Sequence, residues 1–524
     1  MGQVKNILFI MCDQLRWDYL GCYGHPTLQT PHIDRLAAAG MTFDKAFVQS
    51  AICGPSRMSF YTGRYMSSHG ATMNGVALPI SNLTLGDYLQ PLGVPSYLIG
   101  KSHVTPDIQG MQRLGLHAGE GRWEIISEGG FDAIERDDGM HLDANVDPDL
   151  AYNAYLAAKG YKGKNPWHNW ANSAEGPEGE ILSGWKMGNA IMPARIKEAD
   201  SETPYMTRRA IEFIKQQDQE PWCLHLSYIK PHWPYMAPAP YHARYSADDC
   251  LPPRCDAAER DSAHPLHQGY MTHPESIIFS DAEKRQKIVP TYMGLIKQID
   301  DQIGVLLDYL EESDLMDKTM IVFTSDHGDQ MGDHWLGEKE LFFEESVRIP
   351  LIIYDPAEAA DSMRGKRESR LVEAIDLVPT FVDVLGGEIP DHILEGRSLT
   401  PLLRGDAPRD WRDFVVSELN YAYTWCRRDL GLKPDDAKAI MLRTEKWKYI
   451  HHNCFSPQLF NLTDDPDEFH DLGSDPEYQL VVSEMAEQML KWHSDRKVRT
   501  TLSEQAIEDR TAAFWDRGVQ LGQW

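Results

Sequence analysis

A cysteine that opens a helix beside an arginine is placed to do chemistry, and Cys53-Gly54-Pro55-Ser56-Arg57 has that form. Met58-Ser59-Phe60-Tyr61 continues the segment in a helix-compatible way, so Cys53 is expected in the first turn. There the unpaired backbone N–H groups, the helix dipole and Arg57 all favour an anion. A thiol in that setting is acidified and becomes a better nucleophile. Elsewhere in the chain, polar residues follow apolar runs of strand length: Asp13-Gln14, Lys101 with His103, His232 between Pro231 and Pro234, and Asp326-His327. Carboxylates with an imidazole are metal-ligand types, and lysines with further imidazoles are groups that bind an oxyanion and move protons. Lys339, shortly after Asp326-His327, adds another cation.

The elements that must position these residues are legible in the apolar pattern. Ile7-Leu8-Phe9-Ile10-Met11 is a continuous apolar run, as a central parallel strand covered on both faces requires. Such a strand hands Asp13 to the sheet's carboxyl edge, where open α/β sheets bind ligands. Ser96–Gly100, Trp222–Tyr228 and Lys318–Phe323 repeat the pattern before Lys101, His232 and Asp326. Thr30-Pro31 reads as the cap and first position of a helix ending at Gly40, and Ser280-Asp281-Ala282-Glu283 as a capping box opening a long amphipathic helix that Pro290 kinks or breaks. Residues 106–198 lose periodicity and are rich in Gly, Asp, Asn and Trp, which reads as an irregular insertion forming pocket wall or lid. Beyond Gly405, short strand-like runs indicate a small antiparallel sheet followed by a helix near Tyr478–His493. The division is therefore 1–405 for an α/β catalytic domain and 406–524 for a small sheet, a helix and a tail. Phe514, Trp515 and Trp524 in that tail are expected to dock on another subunit, giving a homo-oligomer, a dimer or tetramer.

Composition narrows the partners. Fifty-one Lys and Arg against 79 Asp and Glu leave a net charge of -28, which argues against nucleic acid or an anionic membrane as the main partner. An anionic small substrate then needs a local cationic pocket, which Arg57, Lys101 and Lys339 can supply. The N-terminal apolar run is too short for a signal peptide and no stretch is long enough to span a membrane, so the expectation is a cytoplasmic protein. The eight cysteines form no disulfide framework of the kind small secreted domains use.

Together these motifs resemble the type I sulfatase family. Cys53-x-Pro55-Ser56-Arg57 is similar to the site at which that family converts cysteine to formylglycine, and Asp13-Gln14, Gly100-Lys101-x-His103, Pro231-His232-x-Pro234, Ser325-Asp326-His327-Gly328 and Arg443–Ile450 stand in the family's order. The resemblance implies an alkaline-phosphatase-like α/β fold: a central, mostly parallel sheet flanked by helices, with a smaller C-terminal antiparallel sheet domain. It implies a divalent metal ion, Ca2+ or Mn2+, held by Asp13, Gln14, Asp326 and His327. Arg57 then supports the modified residue, Lys101 and His103 contact it and the transferred group, and His232 and Lys339 bind the oxyanion and protonate the leaving oxygen. Asn74 adds a donor. A formylglycine-generating enzyme would be the maturation partner.

The chemistry implied for such a residue is a geminal diol that attacks sulfur or phosphorus and forms a covalent ester; its second hydroxyl then expels the anion and restores the aldehyde, a step closed to serine. Many sulfatases carry a second aspartate where Gln14 stands and an asparagine where His327 stands. The less anionic, nitrogen-containing set here favours manganese. Gln14 and His327 are similar to phosphonate monoester hydrolases and choline sulfatases, whereas Lys101 and His103 suit a terminal sulfate with three non-bridging oxygens. Hydrolysis of sulfate monoesters of the aryl sulfate type is therefore the first expectation. Phosphonate monoester or phosphodiester hydrolysis is the second, with promiscuity between them. An unconverted, non-catalytic metal- and anion-binding relative is the third.

Overall fold

The computed structural model describes the chain except residues 1–3, 120, 148, 218–219, 407, 512, 519–521 and 523–524. Its frame is an eight-stranded sheet. In chain order the strands of this sheet and of a small hairpin are β1 (Asn6–Asp13), β2 (Met41–Phe47), β3 (Ser96–Gly100), β4 (Asp132–Arg136), the hairpin β5 (Ser173–Glu175) and β6 (Ile181–Ser183), β7 (Cys223–Pro231), β8 (Thr319–Ser325), β9 (Arg348–Tyr354) and β10 (Lys366–Glu373). The spatial order is β10-β2-β9-β8-β1-β7-β3-β4. Only β9 runs antiparallel to its neighbours. β1 is buried along its whole length. Its residues alternate between two cores: Ile7, Phe9 and Met11 face one layer of helices, Leu8, Ile10 and Cys12 the other.

That alternation explains why β1 reads as a continuous apolar run, and the agreement extends to β3, β7 and β8. Three local expectations are corrected. Residues 106–198 are not wholly irregular: β4 pairs in parallel with β3 and forms the edge of the main sheet. The long helix Ala282–Glu312 is capped by Asp281, which accepts from the Glu283 and Lys284 N–H groups, while Ser280 ends the preceding helix. It also runs through Pro290 without a break. Thr30 precedes helix α1 (Pro31–Ala39) but caps no N–H with its side chain; its hydroxyl donates to Asp34.

Beyond the main sheet, β11 (Phe414–Asn420), β12 (Lys438–Thr444), β13 (Trp447–His452) and β14 (Gln458–Asn461) form the expected antiparallel sheet. Val416, Leu442, Tyr449 and Leu459 pack against Val482, Met485, Met489 and Trp492 of the helix Gln479–Ser494. The side chains of Phe514 and Trp515, and all of Trp524, lie outside what the structure describes, and so does the docking expected of them. Among the described residues no helix is long and apolar enough to cross a membrane.

A buried lysine is among the groups that tie the two sheets. Lys448 on β13 lies 3.1 Å from Glu344, just before β9, and 2.6 Å from Glu468, and donates to the Phe342 carbonyl at 2.8 Å. Burial works against charge on Glu344, but Lys448 and Arg443 hold its carboxyl down to about 2. Burial pushes Glu468 up to about 7 despite Lys448. Replacing Lys448 with methionine leaves Glu344 without its nearest cation. Urea unfolding of Lys448→Met is expected to show a loss of about 3–5 kcal/mol, as for other buried pairs deprived of one partner; an unchanged midpoint would show that the tie contributes nothing.

Candidate active site

Four neighbouring parallel strands, in the order β8-β1-β7-β3, end at one level of the sheet. Met11 stands beside Thr324 on one side and Ser227 on the other, and Ser227 beside Gly100. Each strand therefore releases its next residues along the same carboxyl edge: Asp326 and His327, Asp13 and Gln14, His232, and Lys101 and His103. Gly100 makes the last approach feasible. Its φ is +105°, and a Cβ there would lie 2.0 Å from the Ser227 carbonyl oxygen.

Over this edge sits helix α2 (Cys53–Thr62), with all ten residues buried. Cys53 occupies the first helical position, as expected. Two bonds anchor the first turn: the Gly54 N–H donates to Asn74 Oδ1 at 2.8 Å and the Ser56 hydroxyl to the Asp326 carbonyl at 2.5 Å. Arg57, one turn on, points into the strand ends. Its Nε donates to Asp326 Oδ2 at 2.8 Å, and one terminal nitrogen to the Lys101 carbonyl at 2.7 Å and Ser227 Oγ at 2.8 Å. The other terminal nitrogen is 3.6 Å from Asp13 Oδ2. Arg57 thus braces the carboxylates and three of the strand ends.

Around Cys53 the sulfur lies 3.1 Å from His327 Nε2 and 3.8 Å from Asp13 Oδ1. Burial alone would raise the thiol, yet Lys101, Lys339, His327 and His103 hold it well below its ordinary range. Lys101 Nζ pairs with Asp13. Against burial and the Cys53 sulfur, Lys101, His232 and Arg57 keep the Asp13 carboxyl below the usual carboxylate range. Asp13, Asp326, His327 and the Cys53 sulfur offer ligand atoms within 4.8 Å of one another, all buried. Two carboxylates and an imidazole suit a divalent cation, and the His327 ring is already oriented for one. Its Nδ1 lies 2.8 Å from the Gly328 carbonyl, which can only accept, so Nε2 is the atom turned toward the cluster.

Gln14 stands beside this set with a φ of +66°. Its N–H donates to Asp326 Oδ1 at 3.0 Å, its amide oxygen accepts from Lys339 Nζ at 2.8 Å, and its amide nitrogen donates to Asp329. Lys339 Nζ is also 3.5 Å from His232 Nε2. Burial, Lys339 and Lys101 push the His232 imidazole down to about 4 against Asp13, while Cys53 and Glu338 raise Lys339 well above its ordinary value against burial. The His232 Nδ1 lies 2.6 Å from the Trp233 carbonyl, so its Nδ1–H donates there and Nε2 faces Lys339. Cys53, Asn74, Lys101, His103, His232 and Lys339 all line one cavity of about 480 Å³.

Every candidate site residue named from the sequence is thus brought to one place. Sequence reasoning missed its supports. Asp138, in the segment expected to be irregular, accepts from the N–H groups of Ser102 and His103 at 3.2 and 3.0 Å. Tyr292 of the long helix donates to the Gln14 carbonyl at 2.8 Å. Ser227 and Asp329 carried a signal, each standing close to a strand end. Tyr423 and Trp425, which also line the cavity, lie in the region of the C-terminal sheet and carried none.

Known proteins resemble this chain over most of its length. A family model described as sulfatase matches residues 5–387, and one described as the C-terminal part of N-sulphoglucosamine sulphohydrolase matches residues 332–495. The multifunctional alkaline phosphatase superfamily protein PehA of Trinickia caryophylli is 35% identical, covering 94% of this chain and 96% of its own length. An arylsulfatase of Clostridium perfringens is 28% identical over 93% of this chain and 94% of its own. Among solved structures, a phosphonate monoester hydrolase from Silicibacter pomeroyi superposes with a TM-score of 0.83 at 26% identity, covering 95% of this chain and 96% of that one.

The donor set makes a prediction about pH. Burial lowers the His327 imidazole, but Asp326 and Cys53 outweigh it and push it up to about 9. A cation bound through Nε2 must displace that proton. Calorimetric titration with manganese is therefore expected to show affinity rising with pH from neutrality to about 9, by up to about tenfold per unit, with proton release to the buffer. Affinity independent of pH over that interval, with no proton released, would show that His327 is not a ligand.

Proposed function

Because the chain belongs to the sulfatase family of the alkaline phosphatase superfamily, we propose that this hydrolase cleaves sulfate monoesters of the aryl sulfate type, using a formylglycine made from Cys53. One observation carries the reading: Lys101, His103, His232 and Lys339 converge with Cys53 in a single cavity. These are hydrogen-bond donors enough for a group with three non-bridging oxygens. A divalent cation held by Asp13, Gln14, Asp326 and His327, manganese by the donor set, would supply Lewis-acid activation of the residue at position 53. The aldehyde hydrate would supply the nucleophile, and a formylglycine-generating enzyme would install it.

The chain's own residues have separable tasks. Lys101 and Arg57 keep Asp13 charged, and Arg57 holds Asp326 in place. Lys101 and His103 flank position 53 and receive the charge of the transferred group. His232 and Lys339 divide the roles first assigned to them jointly: the buried imidazole is neutral at pH 7, whereas the Lys339 ammonium holds its proton. Lys339 is therefore the group that can give a proton to the leaving oxygen. An arriving anion favours protonation of His232 Nε2, which then becomes a second donor to the oxyanion. Asn74, already accepting from Gly54, has its amide nitrogen left to donate into the cavity.

A second reading has its own support. The Silicibacter pomeroyi neighbour is a phosphonate monoester hydrolase, and PehA is described as multifunctional. On this reading the site is that of a phosphonate monoester or phosphodiester hydrolase, with sulfate ester hydrolysis as its promiscuous activity. The two are ranked by kcat/KM for 4-nitrophenyl sulfate and 4-nitrophenyl phenylphosphonate on one manganese-loaded preparation. The sulfate is expected to be preferred, and Lys101→Ala to lower its kcat/KM by about 10²–10³, the range for loss of one oxyanion donor, with a smaller effect on the phosphonate. A large phosphonate advantage in the unaltered enzyme would reverse the ranking.

A further inference from the structure

Two of the groups placed against position 53, Lys101 and His103, stand on a loop whose backbone is held by side chains. The pairing of β3 with β7 ends where the Lys101 N–H donates to the Ser227 carbonyl at 3.1 Å. Beyond it Arg57 serves the Lys101 carbonyl, and the Ser102 and His103 N–H groups both donate to Asp138 Oδ1, at 3.2 and 3.0 Å. Arg136 donates to the Val104 carbonyl at 2.9 Å, and the Ser102 hydroxyl donates to Glu128 at 3.3 Å. Asp138, Arg136 and Glu128 all come from the stretch 128–138, which contains β4.

These three side chains form one ionic unit. Arg136 donates to both oxygens of Glu128 at 3.0 Å and to Asp138 Oδ2 at 3.1 and 2.6 Å. Asp138 thus gives one oxygen to the guanidinium and the other to the two loop amides. Burial works against its charge, yet Arg136 and His103 hold its carboxyl down to about 2. Its placement follows from β4. The Asp137 N–H donates to the Gly100 carbonyl at 3.0 Å, which carries the pairing with β3 one residue past the strand and sets Asp138 beside the loop. The turn closes at once because the next residue is Gly139, at φ +73°, where a Cβ would lie 2.5 Å from Ile229 Cγ2 of β7.

His103 needs such a hold. Its φ is +55°, a conformation that a residue with a Cβ keeps only where its surroundings fix it. The rings of His232 and His327 are each aimed by a carbonyl at Nδ1, the usual device for a working imidazole. The Nδ1 of His103 is buried and meets no partner among the described residues. The backbone of the loop is left to aim this ring. We propose that Asp138 is a positioning residue: by holding the Ser102 and His103 amides it directs the His103 imidazole at the group on position 53. The inference rests on the reading of the site as a sulfate ester hydrolase, and it adds to that site a residue that does not itself line the cavity.

A double-mutant cycle separates positioning from stability. With manganese-loaded enzyme acting on 4-nitrophenyl sulfate, Asp138→Ala is expected to lower kcat about 10–100-fold, the range for loss of a group that orients another, with KM little changed. In the His103→Ala background the same substitution is expected to cost less than about threefold, because the ring it aims is gone. Asp138→Asn has one oxygen and can serve the amides or Arg136 but not both. It is expected to fall between, and it carries the cycle should the alanine variant not fold. Equal losses with and without His103, or no loss in either, overturn the inference. Absence of turnover by the unaltered enzyme would overturn the hydrolase reading instead. The cycle is then read on the affinity of manganese-loaded Cys53→Ala protein for inorganic sulfate, where Asp138→Ala is expected to weaken binding about tenfold only while His103 is present. No binding of sulfate, unchanged affinity, or equal weakening in both backgrounds overturns the inference by that readout.

Discussion

Two carboxylates held side by side in a fully buried site are the constraint on which the rest of this structure depends. Asp13 and Asp326 end adjacent strands with no exposure to solvent. Burying such groups uncompensated costs several kcal/mol each. The Arg57 guanidinium answers that cost, and its geometry explains why it is arginine. Its planar fork reaches Asp326, Ser227, the Lys101 carbonyl and, at longer range, Asp13. A lysine, with its three donors on one nitrogen, could not span all four of these partners. The same contacts fix the strand ends relative to helix α2 and so place Cys53.

Once the carboxylates are held, the cations beside them act on position 53. Lys101 and Lys339 face the Cys53 sulfur and depress its thiol despite burial. Glu275, Glu338 and Glu340 line the same cavity. A chain of net charge -28 repels anions on the whole, so an anionic group is held only where these lysines overcome that field locally. Lys339 is bonded to Gln14 and paired with Glu338.

Much of this was legible in the sequence because strand and site coincide. An apolar run followed by Asp13, Lys101, His232 or Asp326 signals both a buried parallel strand and a residue delivered to its carboxyl edge. The helix beginning at Cys53 was equally local, with Pro55 tolerated in the first turn and Gly63 closing it at φ +65°. What escaped was long-range or set by tertiary pairing. β4 alternates weakly and is recognisable as a strand only by its pairing with β3. Asp281 rather than Ser280 caps the long helix because Ser280 still belongs to the helix before it. Tyr423 and Trp425 reach the cavity from some 370 residues beyond Cys53, and no local pattern announces that approach.

The chemistry of the site turns on the identity of residue 53 in the mature protein. The direct measurement is the mass of the proteolytic peptide carrying that position, from protein produced alongside a formylglycine-generating enzyme. Conversion removes one sulfur and two hydrogens and adds one oxygen, and the peptide is predicted to show that loss together with the reactivity of an aldehyde toward a hydrazide. A peptide of unchanged mass that alkylates as a thiol, from protein that nonetheless hydrolyses aryl sulfates, would contradict the account and leave the acidified Cys53 sulfur as the nucleophile.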